Sequence, residues 1–310
     1  MNPTTSANVY SDNKNQEDEK ILLQPFNHFK QPFPANHILE KIWTACNYWF
    51  QVPEDKFKEI STIGNKLGAA GLIMDDLVDN SVLRGGIPTS RLVYGRSRTI
   101  HSSIYAFISA MEKFDDFKMV DIFIATGVKL CQGQAMETYF ARNGICPTEE
   151  EYQQTVFNKT TSAISFIVSV QQLFATQYKN SNFDPFLVPM GLFFQICNDY
   201  VNLASQSYAK LKVFGDDITE GIFTFPIIHG IKTHPEDHRL LDILKQRTSD
   251  KNVKLYFIKL LEEFGSLDYT LESLEKLKNE YMEEITKIAA NPEMEKILDD
   301  ALNDIEAVVM

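Results

Sequence analysis

Residues 71 to 91 read GLIMDDLVDNSVLRGGIPTSR: three aspartates in five positions, then one arginine ahead of two glycines. Asp75 and Asp79 are four apart, so on a helix their carboxylates leave the same face about one turn from each other, with Asp76 alongside. Like charges so placed repel, and a solvated helix end tolerates them at roughly a few tenths of a kcal/mol. Here they follow the apolar run GAAGLIM, which reads as buried wall, so the cluster calls for a cation. Mg²⁺ suits it, because that ion takes one or two protein carboxylates and completes its octahedron with water and substrate phosphates.

A second polar row lies in FFQICNDYVNLASQ, residues 193 to 206. Asn198 and Asn202 are four apart, Asp199 stands between them and Gln206 extends the row by a turn. Two such helices facing one another would hold a diphosphate through shared metals. A helix turning its polar face to water is the plainer alternative.

The elements that must carry these residues are helical. Apolar positions recur at three and four over 38–50, 101–114, 119–140, 150–178, 186–206 and 252–264, and residues 268–308 form a long amphipathic pattern interrupted at Pro292. The breaks fall at Pro53, Gly85-Gly86 with Pro88, Gly144 to Pro147, Pro185 and Pro235. Strand-like alternation is scarce, so the expected fold is an all-α bundle of about a dozen helices.

Composition narrows the function. In 310 residues with 14 glycines, no Pro/Gly/Ser-rich linker interrupts the chain, which argues for one all-α domain over residues 20–310 behind a loose tail at 1–19. The net charge of −12 argues against nucleic acid as a partner. No apolar run reaches the roughly 18 residues that span a bilayer. Four cysteines without CxxC spacing suggest buried thiols in a reducing compartment, hence the cytoplasm.

Taken in order, ILLQPF, VPEDK at 52–56, DDLVDNSVLRGGIP, QGQ at 132–134, CPTEEEY at 146–152, NKT at 158–160, GLFFQICNDYVNL and DDITEGIFTFPIIHGI resemble the trans-isoprenyl diphosphate synthases, most closely the animal geranylgeranyl diphosphate synthases. The resemblance implies the isoprenoid synthase helical bundle with a central active-site cavity, a homodimer or larger homo-oligomer, and Mg²⁺, three ions with the substrate diphosphate and Mn²⁺ as a substitute. It also implies ionisation of an allylic prenyl diphosphate, whose cation attacks isopentenyl diphosphate. Carried over by position, Asp75, Asp76, Asp79 and Asp199 are the metal-binding and catalytic carboxylates. Arg84, Lys159, Thr160, Gln195, Asn198, Asn202 and Lys212 are the substrate-binding residues.

The departures are one-sided. The family grips the isopentenyl diphosphate with a Gly-Lys-x-x-Arg segment, a histidine before the first aspartates and the second arginine of Leu-Arg-Arg-Gly. Here those positions hold Asn36, Leu39, Gly68 and Gly85. A hydrogen bond to a charged group contributes about 1.5–3 kcal/mol, so four losses remove roughly 6 kcal/mol or more from that subsite. On the allylic side the second aspartate motif begins with Asn198 and the lysine expected after Glu220-Gly221 is Ile222, but most contacts persist.

A site that ionises an allylic diphosphate and cannot seat a second isoprenoid leaves the cation to lose a proton, capture water or cyclise. That is terpene synthase chemistry, and the chain looks like an insect terpene synthase derived from an isoprenyl diphosphate synthase, ocimene-forming enzymes among them. The expected substrate is geranyl diphosphate, with Tyr105, Phe107, Phe140, Phe166 and Phe194 as candidate cavity liners. A working geranylgeranyl diphosphate synthase and a non-catalytic regulatory subunit are the rivals.

Overall fold

The computed structural model describes residues 12–29, 36–114, 116–204 and 214–309. Among them the chain is helical almost throughout, with a single two-stranded hairpin.

The N-terminal elements are α1 (Asp12–Leu22), α2 (Gln24–Phe29), α3 (Asn36–Phe50) and α4 (Glu54–Asp79). α1 begins inside the stretch expected to be a loose tail; Arg98 ties its end, through Ile21 O (3.4 Å), and the start of α2, through Gln24 Oε1 (2.7 Å), to α6, a tertiary contact that its polar composition hides. Strands β1 (Leu83–Arg84) and β2 (Ile87–Pro88) follow, pairing Arg84 with Ile87. Next come α5 (Ser90–Tyr94), α6 (Arg96–Met111), α7 (Phe117–Asn143) and α8 (Glu149–Val156), the last started by a capping box between Thr148 and Glu151. A π-helical turn, Phe157–Thr161, joins α8 to α9 (Ser162–Phe174). The remaining helices are α10 (Asp184–Ala204), α11 (Asp216–Glu220), α12 (Phe225–Thr233), α13 (Arg239–Gln246), α14 (Lys251–Glu263), α15 (Ser266–Ile288) and α16 (Pro292–Val309). The count exceeds a dozen because short connecting pieces such as α5 and α11 are themselves helical, and too short for periodicity to reveal.

α10 is the central helix, packed on α15, α16 and the π-turn. Phe186 and Phe193 of α10 meet Tyr281 of α15, and all three rings are fully buried. α3 is fastened to the C-terminal region by Trp49 Nε1 donating to Ala289 O (2.9 Å) and Asn291 Nδ2 donating to Ala45 O (2.8 Å). No helix among the described residues is long and apolar enough to cross a membrane. Cys46 and Cys197 are buried, but Cys146 is half-buried and Cys131 exposed, so the expectation of four buried thiols holds for only two of them.

Candidate active site

α4 ends at Asn80, whose left-handed conformation (φ 63°) returns its N–H to Asp76 O. The hairpin beyond it reverses through Gly85 (φ 62°) and Gly86 (φ 79°), the pair of positive φ angles that a tight two-residue turn needs. This reversal brings Arg84 back onto the helix it just left. Its Nε donates to Asp76 Oδ1 at 2.6 Å and its Nη2 to Asp75 Oδ2 at 3.1 Å.

Asp76, expected as a metal ligand, is held by Arg84. The residue is 3% exposed and its carboxylate is paired with the guanidinium. Arg84, expected to meet substrate, is itself buried and engaged with two aspartates. Burial opposes its charge, but Asp76 and Asp75 keep its pKa above the usual arginine value.

Asp75 and Asp79 do share a face, and the third carboxylate beside them is Glu137 of α7. One oxygen from each of the three lies within 4.8 Å of the others. Burial, followed by the charges of Asp75, Glu137 and Glu220, pushes the Asp79 carboxyl up to about 9. Such a trio, short of positive charge and built of hard oxygen donors, fits a divalent cation of the Mg²⁺ kind.

The cation present among them is Lys159. Its ammonium lies 2.5 Å from Glu137 Oε2 and 3.5 Å from Asp75 Oδ1. Burial lowers its pKa, but Glu137, Asp75 and Asp79 more than reverse this and hold it charged. The π-turn places this lysine, and two glycines let the turn approach its neighbours. A β-carbon on Gly133 of α7 would lie 2.7 Å from Lys159 Cγ, and one on Gly191 of α10 would lie 3.0 Å from Thr161 Cα.

Behind the trio runs a chain of hydrogen bonds. Thr160 Oγ1 donates to Gln195 Oε1 (2.7 Å), and Gln195 Nε2 donates to Asp199 Oδ1 (2.9 Å). Tyr152 Oη and Phe225 N donate to Asp199 Oδ2 at 2.7 and 3.0 Å. Asp199 is 2% exposed, and burial raises its pKa against those three donors, which lower it. Expected as a metal ligand, Asp199 joins α8, α10 and the start of α12 through these bonds, and it is not part of the carboxylate trio. Thr160 and Gln195 belong to the same chain.

Asn198 is half-buried on α10, whereas Asn202 is buried and accepts from Asp217 N at 3.3 Å, its Nδ2 without a partner. The two asparagines of the row thus differ in burial within one turn. Lys212 and Gln206 lie outside the described residues.

The positions where the isopentenyl grip was expected are also legible. Leu39 and Gly68 meet, with Leu39 Cδ1 2.8 Å from where a β-carbon on Gly68 would stand. Two nearby cations are committed elsewhere. Lys41 pairs with Asp300 at 2.6 Å, and Arg91 Nε donates to Ser81 O at 3.1 Å while its Nη2 holds Asn80 O.

Gly71 sits one turn below Asp75, and a β-carbon on it would meet no atom within 4 Å, so the face beneath the carboxylates is open. Of the aromatic residues expected there, Phe140 and Phe166 are buried in the core and Phe194 is half-buried against Phe193 (5.5 Å). Phe107 packs on Phe123 (4.9 Å), and Tyr105 is half-buried on α6.

The polyprenyl synthetase family model matches residues 19–261. The chain belongs to that family. Its all-α architecture is the isoprenoid synthase fold of the polyprenyl synthetases, which use Mg²⁺ in prenyl transfer or terpene synthesis. The chain is 39% identical to a terpene synthase of the insect Matsumurasca onukii over 92% of its own length and 94% of the relative's. It is 38% identical to a geranylgeranyl pyrophosphate synthase of Apiospora sacchari (86% and 80% of the two chains) and 39% identical to another from Penicillium ochrochloron (84% and 74%). In a family of this kind Glu137 is the acid that sequence reasoning passes over. Its signal is the four-residue step from Gly133 in QGQAME.

Proposed function

We propose that this chain is a Mg²⁺-dependent class I terpene synthase that converts an allylic prenyl diphosphate, geranyl diphosphate by preference, into an acyclic monoterpene such as ocimene and diphosphate. The observation that carries this reading is the contact of Leu39 with Gly68: an aliphatic side chain over a glycine stands where the elongating enzymes hold a second diphosphate with arginine and histidine. The first acidic helix and Lys159 remain assembled. The likeness to a terpene synthase across nearly the full chain supports the same assignment.

Asp75, Asp79 and Glu137 would hold Mg²⁺, with up to three ions brought in with the diphosphate. Bound there, the metal supplies charge that stabilises the departing diphosphate. Lys159, already between the carboxylates, adds a fixed positive charge on the same side. The allylic carbon–oxygen bond breaks with its electron pair leaving on the diphosphate. A proton from a carbon next to the cation then passes to the released diphosphate, and a new carbon–carbon double bond closes the balance. The open face at Gly71 offers room for the prenyl chain below the carboxylates.

The proposed macromolecular partner is a second copy of the chain. Ile100, Ile104 and Ile108 of α6 and Ile124 and Val128 of α7 form exposed apolar rows on neighbouring elements of the chain, a pattern that a self-association surface explains. The cytoplasm is the proposed location.

The test is purified protein with Mg²⁺ and geranyl diphosphate, with and without isopentenyl diphosphate, read by headspace gas chromatography and prenyl chain length. A volatile hydrocarbon formed without isopentenyl diphosphate is the expected result. Longer prenyl diphosphates would assign the chain to elongation instead, and silence in both channels to a regulatory subunit.

A further inference from the structure

The acid-bearing helices α4 and α11 come from distant parts of the chain, two halves that one side-chain hydrogen bond joins directly. Ser81 is 6% exposed and its backbone is fully committed to the first half: its N–H donates to Asp76 O (3.1 Å), and its carbonyl accepts from Thr89 Oγ1 (2.9 Å) and Arg91 Nε (3.1 Å). Its hydroxyl reaches the other half, donating to Glu220 Oε1 at 2.6 Å across 139 residues of sequence.

Glu220 closes α11, a five-residue helix bracketed by Gly215 (φ 57°) and Gly221 (φ 73°). The helix is held at its start by Lys254, which is 2% exposed and donates to Phe214 O at 2.7 Å, and in its first turn by Asp217 N donating to Asn202 of α10. So short an element has little stability of its own, and its place relative to α4 depends on these attachments. The Ser81 hydroxyl is an attachment two residues beyond Asp79, and Glu220 is close enough to Asp79 for its charge to be felt there.

We propose that the Ser81–Glu220 hydrogen bond is a clasp that sets the spacing between the Asp75–Asp79–Glu137 trio and α11, which makes Ser81 a positioning residue for cation and diphosphate binding. The inference rests on the reading that the trio holds Mg²⁺. Its test therefore uses binding, which is independent of whether the product is an olefin or a longer prenyl chain.

Thermal unfolding of the full chain is followed while Mg²⁺ is titrated in the presence of inorganic diphosphate, for the parent, Ser81→Ala and Ser81→Thr. Partners that orient metal ligands from behind typically change metal affinity by a factor of ten or more. Ser81→Ala should raise the Mg²⁺ half-saturation on the order of tenfold, and Ser81→Thr, which keeps the hydroxyl, should restore it. A purely structural serine would instead lower the metal-free melting temperature and leave the half-saturation unchanged, which overturns the clasp. Glu220→Gln and Glu220→Ala give the same comparison from the more exposed partner, with the amide expected to hold the contact and alanine to lose it. A parent chain that shows no stabilisation by Mg²⁺ and diphosphate overturns the clasp and the metal site together, whereas an intact parent response matched by Ser81→Ala overturns the clasp alone.

Discussion

Gly133 of α7 lies directly beneath Lys159 of the π-turn: a β-carbon on the glycine would stand 2.7 Å from Lys159 Cγ and 3.0 Å from its backbone nitrogen. The side chain could move aside, but the backbone nitrogen belongs to a turn packed on α7, α8 and α10 and has nowhere to go. Gly133→Ala should therefore displace Lys159 from Glu137 and Asp75. Overpacking of this kind costs about 1–3 kcal/mol. The expected outcome is a lower melting temperature together with at least a tenfold fall in kcat, larger than the stability loss explains, measured by steady-state kinetics well below the transition.

Asp79 gives the metal-free protein a pH signature. Its carboxyl has an ordinary value of 3.8 and is raised to about 9 in the folded chain by burial and then by Asp75, Glu137 and Glu220. Between these values the folded chain binds a proton that the unfolded chain has released, so unfolding free energy falls as pH rises through the window. The destabilisation is absent below about pH 4 and complete above about pH 9. In EDTA the melting temperature should decline from about pH 6 to about pH 8.5, and Asp79→Asn should flatten that decline. Mg²⁺ should flatten it too, because a cation favours the charged carboxylates. A metal-free chain equally stable across the range would contradict the placement of Asp79.

How much of this is legible in sequence depends on what one helix can tell about itself. The step of four from Asp75 to Asp79 fixes their common face, and α4 carries them there. Which side of a helix is covered is a tertiary matter, and so are the partners it meets: Arg84 for Asp76, and Tyr152, Gln195 and Phe225 N for Asp199. Glu137 is hidden for the same reason in reverse, as a single acid marked in sequence only by its step of four from Gly133. The π-turn escapes because its periodicity is neither 3.6 nor 2, although Lys159 and Thr160 within it are found by resemblance. The one arginine before two glycines is explained by the turn, since residues at positions 85 and 86 must take positive φ.

Asp199 separates two readings of the second acidic motif. Were it a metal ligand, Asp199→Asn would raise the Mg²⁺ requirement. As a buried junction it should do something else. Tyr152→Phe removes one of its three donors, a loss of about 1.5–3 kcal/mol for a hydrogen bond to a charged group. Both substitutions should lower the melting temperature while the Mg²⁺ half-saturation stays within about twofold of the parent, well below the tenfold or greater effects typical of lost metal-ligand support.

The apolar rows on α6 and α7 make a prediction about assembly. Ile104 is 44% exposed and Ile108 57% exposed, one turn apart on the same face. A pair of glutamates there would place like charges in a self-association surface, where desolvating an unpaired charge is costly. Ile104→Glu with Ile108→Glu should shift the chain to a smaller species by light scattering, with helical content unchanged by circular dichroism. An unaltered mass, or a monomeric parent, would count against the second copy as partner.

Leu39 and Gly68 offer the sharpest test of the lyase reading, because the two positions obstruct one another. A histidine at 68 would begin 2.8 Å from Leu39 Cδ1, so Gly68→His alone should destabilise the chain, and Leu39→Arg alone should lack the second donor. Contacting residues couple, and the double variant should be better folded than the sum of the singles implies. Replacing Gly85 as well is unlike the other two changes. Its φ of 62° lies in the left-handed region, where a side chain costs about 1–2 kcal/mol, so Gly85→Arg should lower stability without aiding catalysis. The expected outcome is that Leu39→Arg with Gly68→His incorporates labelled isopentenyl diphosphate above the parent's level and releases less volatile hydrocarbon when both substrates are present. If the parent already elongates at the rate of the double variant, the apolar contact between Leu39 and Gly68 does not decide which reaction the cation follows.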